Sequence, residues 1–113
     1  MKTHEMKLLK GPFLEIKARR KNVEMRLYDE KRQGIAVGDR VLFTCADLPG
    51  EKICAEVKAL YIYDNFRSLA ESFSSAALGF DGFSSKYISE YMLEIYGKEK
   101  EEKYGALAIE LKF

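Results

Sequence analysis

KARRKNVEMRLYDEKRQGIAVGDRVLF, residues 17–43, is the stretch that decides the fold. At its centre Asn22 to Tyr28 alternates strictly: Val23, Met25 and Leu27 fall on one side, Asn22, Glu24, Arg26 and Tyr28 on the other. Successive side chains of a strand point to opposite faces, so the segment predicts a strand with one core face and one charged, hydrogen-bonding face. A polar strand face ordinarily meets solvent. This one sets an acid, a base, an amide and a phenol beside a basic cluster, which points to the wall of a cleft. Asp29 to Gly34 is a polar connection, after which Ile35, Val37, Val41 and Phe43 resume the alternation in two short extended pieces around a Gly38-Asp39 turn.

Upstream, Glu5 to Leu9 predicts a first strand. Gly11-Pro12 suits the start of a helix that buries Phe13 and Ile16 and ends near Arg20. Downstream, Pro49-Gly50 divides a hairpin over 40–63, whose second strand places Ile53, Ala55, Val57, Ala59 and Tyr61 on one face. Phe66, Leu69, Ala70 and Phe73 have the spacing of a buried helix face. Ser74 to Phe83 predicts an irregular loop, and Ser84 or Ser85 caps a second helix carrying Ile88, Tyr91, Met92, Ile95 and Tyr96 and ending at Gly97. These tyrosines and phenylalanines are expected in the core, while Tyr61 and Tyr63 at a strand end are ambiguous. KEKEEK at 98–103 predicts an exposed helical turn, and Ala106 to Phe113 a last strand burying Leu107, Ile109, Leu111 and Phe113. Strands dominate without regular interleaving of helices, so a doubly wound parallel sheet is excluded. The expectation is an α+β fold: a small mixed β-barrel with one early and two late helices packed on it.

The 113 residues make one domain, 1–113, and at 47% apolar and 33% charged the chain can bury a core without disulfides or metal. Its charged start predicts no signal peptide, and its apolar runs fall short of the roughly 20 residues of a membrane span, so a cytoplasmic protein is expected. Cys45 and Cys54 are the only cysteines and His4 the only histidine. Zinc-motif spacings are absent, so no metal and no cofactor is expected. A disulfide between neighbouring strands is conceivable, but two buried free thiols are expected. The net charge of +1 excludes a wholly basic protein, yet residues 1–32 carry ten basic against five acidic side chains and residues 33–113 nine against thirteen. A local positive patch on a neutral protein suggests an anionic partner met at one place.

The central stretch resembles the signature region of the ASCH domain family, small proteins with a PUA-like barrel. The family pattern is a helix ending in a basic cluster, a strand carrying Glu-x-Arg-Leu, then Asp-x-Lys-Arg and a Gly-Asp turn. Here these are Arg20-Lys21, Glu24-Met25-Arg26-Leu27, Asp29-Glu30-Lys31-Arg32 and Gly38-Asp39. HEMKL and PF near the start and KYGALAIEL near the end are also similar to family members, so the likeness spans the chain. One departure is that the usual Gly-Lys-Lys before the strand reads Arg19-Arg20-Lys21. The resemblance implies a cleft for RNA or a nucleotide-like ligand, lined by Lys21, Glu24, Arg26, Asp29 and Arg32.

The chemistry of these residues suits that role. Arg26 or Arg32 can grip a phosphate or base edge through two parallel hydrogen bonds, and Lys21 acts as a point charge. Glu24 can accept from an exocyclic amine, and Tyr28 offers a face for an unstacked base. The competing expectation is an ion-pair network that only braces the cleft wall. An enzymatic alternative also follows from the resemblance: one small branch is similar to an amidohydrolase of N4-acetylcytidine, with a lysine, a threonine three residues on and a distal glutamate. Here the lysine is Lys21, but the third residue on is Glu24, and only Glu71 and Asp81 flank the region of the distal acid. Lys21 and Glu24 are therefore the candidate catalytic pair for a modified-nucleoside hydrolase or ribonuclease-like activity in the same cleft. With one histidine and no glycine-rich phosphate loop, neither a serine triad nor a P-loop is expected.

Overall fold

ALAIEL, residues 106–111, is apolar at five of six positions and therefore needs cover on both faces. In the computed structural model, which describes Met1–Phe113, it has that cover. The elements are β1 (Thr3–Lys7), α1 (Lys10–Lys17), β2 (Val23–Leu27), a 3₁₀ turn (Arg32–Gly34), β3 (Arg40–Thr44), β4 (Lys52–Tyr63), α2 (Phe66–Glu71), α3 (Ser85–Tyr96), α4 (Lys98–Tyr104) and β5 (Ala106–Lys112). The strands form one mixed sheet in the order β1-β3-β4-β5-β2, with β1 parallel to β3 and every other pair antiparallel. The sheet curls into a half-barrel whose two edge strands, β1 and β2, come together without pairing. The fold is thus the expected α+β architecture.

Two apolar clusters share β5. Leu107, Ile109 and Leu111 join Phe13 and Ile16 of α1 with Val41, Phe43 and Val57 inside the curl. Ala106 and Ala108 face the other way, where Val23, Met25 and Leu27 pack with Phe66 and Leu69 of α2 and Ile88 and Met92 of α3. Directly paired residues share a sheet face, and β2 pairs Glu24 with Ile109 and Arg26 with Leu107. The alternation predicted for 22–28 is therefore present, but its polar face lies on the inner side of the curl at the seam between β1 and β2. Of its four side chains only Asn22 is exposed.

Several local expectations change. Residues 35–37 form no strand: Ile35 is buried, but Val37 is exposed. The β4–β5 register slips between Val57 and Ala59, which breaks the shared face of β4 and leaves Tyr61 exposed. One extra residue in a strand reverses the side chains that follow it. Cys45 is buried as expected, but Cys54 is exposed, because Ile53 and Ala55 on either side take the inward positions. Ile95 and Phe113 are exposed. KEKEEK belongs to a third late helix, α4, and its Glu101 is buried, accepting the Phe66 N–H at 2.9 Å to cap the start of α2. Gly105 links α4 to β5 at φ 76°, where a Cβ would stand 2.6 Å from the Tyr63 carbonyl oxygen. No helix is long and apolar enough to cross a membrane.

Asp39, beside the predicted Gly38 turn, ties the N-terminus to β3. Its carboxylate accepts from the Lys2 N–H (3.1 Å) and the Ala36 N–H (3.0 Å), and its Oδ2 lies 2.8 Å from His4 Nε2. The His4 hydrogen bond first, then the two backbone donors, hold its pKa well below the usual carboxylate range. A depressed pKa adds stability that is complete above the unfolded value of about 3.9 and fades as pH falls below it. Asp39→Asn should lower Tm at pH 7, and the gap from wild type should begin to narrow only as melts are taken below about pH 4, with much of it still present at pH 3.

Candidate functional site

Lys21 reaches the site because of how α1 ends. Arg19 has φ 65°, a left-handed conformation, the only non-glycine residue with positive φ. The Arg20 N–H donates to the Glu15 carbonyl (3.0 Å) and the Arg19 N–H to that of Ile16 (2.9 Å), the paired bonds of a Schellman motif. The Lys21 N–H also donates to Glu15, at 3.1 Å, so the chain turns sharply before β2. The loop 74–83 is then pinned over Lys21, since the Ala77 carbonyl accepts from both Asn22 and Val23 at 3.0 Å. Gly79 (φ 84°) lets that loop approach: a Cβ there would stand 2.7 Å from Lys21 Cδ.

Under this loop sits a buried carboxylate between two cations. Glu24 is 4% exposed and Lys21 4% exposed. Lys21 Nζ lies 3.1 Å from Glu24 Oε1 and donates to the Leu78 carbonyl at 3.0 Å. Arg26 Nε donates to Glu24 Oε2 at 3.0 Å, its Nη2 lies 3.0 Å from the same oxygen, and Nη2 donates to the Lys7 carbonyl of β1 at 3.1 Å. The Met25 N–H donates to Glu24 Oε1 at 3.2 Å. Burial acts to raise the Glu24 pKa, but the charges of Lys21 and Arg26 and their hydrogen bonds outweigh it, so the group is held below the usual range and stays ionised. The three side chains together carry one net positive charge.

These three residues line a cavity of about 350 Å³. Apart from Lys7, its other walls are apolar or aromatic and come from distant parts of the chain, notably Leu9, Phe80, Tyr91, Met92, Ile95 and Tyr96. Of the residues expected in the site, the structure brings Lys21, Glu24 and Arg26 together here. Arg32 lines an adjoining cavity that also contains Arg26. Asp29 binds Arg32, with Oδ2 to Nη1 at 2.8 Å and Oδ1 to the backbone N–H at 3.2 Å, which closes the 3₁₀ turn. Tyr28 packs against the inner apolar cluster. Neither Tyr28 nor Asp29 lines the central cavity. Glu71, exposed and paired with Arg67 across 3.2 Å, and Asp81 also lie outside it. The aromatic walls were not read from the sequence, because helical spacing marks them only as apolar.

Residues 6–113 match the family model of the ASCH domain. The chain belongs to the ASCH domain family. Among solved structures, "Crystal structure of hypothetical protein PH0355" is 34% identical, with 99% of this chain and 98% of that one covered and a TM-score of 0.86. The solution NMR structure of protein PF0455 from Pyrococcus furiosus is 36% identical, with 97% and 96% covered and a TM-score of 0.72. A search of curated proteins gives no match. The glycine of the family pattern corresponds in this ASCH domain to Arg19, the residue with positive φ. Its guanidinium lies 3.9 Å over the Phe113 ring and donates to the Ile16 carbonyl at 3.1 Å, contacts that offset the backbone cost. No group of three or more His, Cys, Asp or Glu side chains is placed to hold a metal ion.

Removing one partner from a buried ion pair costs about 3–5 kcal/mol, whereas replacing the pair by apolar groups is often near neutral. Glu24→Leu should therefore destabilise the domain by about that amount in urea unfolding. The triple variant Lys21→Met/Glu24→Leu/Arg26→Met, which removes every charge of the cluster, should recover most of the loss. Gly79→Ala adds both left-handed strain and a contact with the Lys21 stem, and should cost at least about 1–3 kcal/mol in the same assay.

Proposed function

We propose that this ASCH domain binds RNA or a nucleotide-like ligand in the cavity over Lys21, Glu24 and Arg26. The observation that carries the reading is the count of unused donors. A carboxylate has about four lone-pair sites, and around Glu24 stand Lys21 Nζ, the Met25 N–H and the Arg26 guanidinium at 3.0–3.2 Å. Both of its oxygens are thus engaged by protein groups. Lys21 Nζ engages two partners and keeps one N–H free, and the Arg26 Nη1 edge makes no hydrogen bond within the protein. The polar floor thus offers only donors and one surplus positive charge, under apolar and aromatic walls. A base with carbonyl or ring-nitrogen acceptors, carrying a phosphate nearby, is the complement of such a site.

The same count revises the role given to Glu24. It holds the two cations in place, and both its oxygens are engaged by protein groups instead of standing free for an exocyclic amine. It also makes a poor general base, because two neighbouring cations lower its pKa. With Glu71 and Asp81 outside the cavity, the binding reading is favoured over hydrolysis of a modified nucleoside or RNA by Lys21 and Glu24.

Amide NMR titration with nucleoside monophosphates and short single-stranded RNA should shift residues 21–26 together with Phe80 and Tyr91. Arg26→Lys keeps the charge but loses the Nη1 edge. It should retain a dispersed spectrum and bind roughly tenfold or more weakly, as expected for a lost contact of about 1–3 kcal/mol. An unmoved cleft with every nucleotide and RNA would overturn the reading, and turnover of N4-acetylcytidine would replace it with the hydrolase.

A further inference from the structure

Three cavities run into one another along this face. The central one shares Lys7 and Arg26 with an outer cavity of about 410 Å³, to which Glu5, Lys31, Arg32 and Thr44 also contribute. At its other side it shares Pro12, Lys21, Phe80 and Tyr91 with a cavity of about 440 Å³ that extends past Arg20, Leu78 and Gly79. Each alone falls in the range of roughly 300–1,000 Å³ that holds one small molecule. Joined, they make a trough whose ends differ in chemistry.

The outer end is basic. Four cations there face one acid of the lining, Glu5, and Lys7 and Lys31 take part in no ion pair. Beyond the opposite end, an aromatic surface continues outward from Phe80. Phe80 meets Tyr91 edge-on, with ring centroids 5.1 Å apart, and Phe83 edge-on at 6.5 Å. Tyr87 stacks on Phe83 at 4.5 Å and 21°. These outer two rings line none of the three cavities; Phe83, at the end of the segment expected to be an irregular loop, is 50% exposed and Tyr87 46%. Charge is nearly balanced at this end, because Arg20 is bound by Glu15 at 2.8 Å and Asp81 and Lys86 flank the rings. It offers a surface for stacking, not for phosphate.

Resting on the nucleotide reading of the central cavity, we propose that the trough holds a single-stranded oligonucleotide across at least three positions. Backbone phosphate lies at the Lys7, Lys31 and Arg32 end, one base enters the central cavity, and a neighbouring base stacks against Phe83 and Tyr87. Base-on-aromatic stacking tolerates any sequence, while phosphate contacts supply salt-dependent affinity.

Binding of the four nucleoside monophosphates, a random trinucleotide and a random hexanucleotide RNA to the full chain, by calorimetry at two salt concentrations, tests this. The trinucleotide should bind at least about tenfold more tightly than the best monophosphate. Phe83→Ala/Tyr87→Ala removes only exposed rings. It should weaken the oligonucleotides about tenfold, as loss of a stacked base does, and leave monophosphate binding unchanged. Lys31→Ala should flatten the salt slope for the hexanucleotide by roughly 0.7, the share of one phosphate. Equal affinity for monophosphate and hexanucleotide overturns the extended trough while the nucleotide reading stands. An unchanged response in the double-alanine variant or an unchanged slope in Lys31→Ala overturns the corresponding end. Absence of binding by every probe overturns both.

Discussion

One buried carboxylate sets the terms for the rest of the molecule. Glu24 stays ionised in a place where an isolated charge costs several kcal/mol, and only Lys21, Arg26 and one backbone N–H make that tolerable. Each of those partners depends on something else. Lys21 requires the Schellman turn after α1 and the close approach of the loop at Gly79. Arg26 requires the edge of β1, whose Lys7 carbonyl takes its second donor. The cluster therefore couples the helix, the loop and both edges of the open sheet.

That coupling explains how an incomplete barrel keeps its seam. Strands β1 and β2 are not paired, so their edges lack the ladder that closes a full barrel. A guanidinium bridges them. Its remaining edge and the free N–H of Lys21 then face the cavity, so the groups that brace the seam are the groups available to a ligand. Bracing and the proposed binding, which looked like competing accounts of these charges, are compatible in one arrangement. Asp29 and Arg32 divide differently: their pair closes a local turn, and Arg32 still borders the basic end of the trough.

Much of the architecture was legible because local rules were enough. Alternation marked β2, β3 and β4 as strands, Ser84 and Gly97 bracketed α3, and Pro49-Gly50 marked the hairpin. The misses share a cause. Val37 and the far half of β4 continue an apolar pattern, but a turn in one case and a register slip in the other turn those side chains outward. Cys54 looks core-like by residue type and lies on the outer face by parity. Glu101 sits in a run of charges and is buried because a neighbouring helix needs a cap. In each case the deciding contact is distant in sequence.

The sequence by itself determined that the fold is α+β, that residues 17–32 concentrate the basic charge, and that Lys21, Glu24 and Arg26 belong to its distinctive segment. Those properties rest on period, composition and a short motif, all of which are local. Only the tertiary structure decided that Glu24 and Arg26 of β2 turn inward, that both Glu24 oxygens are engaged while Arg26 and Lys21 keep free donors, and that Phe80 joins the cavity wall. Burial and donor counts are properties of what surrounds a side chain. At this site the surroundings come from residues about 55 to 75 positions further along the chain, such as Leu78, Tyr91 and Tyr96. No pattern within the motif records them.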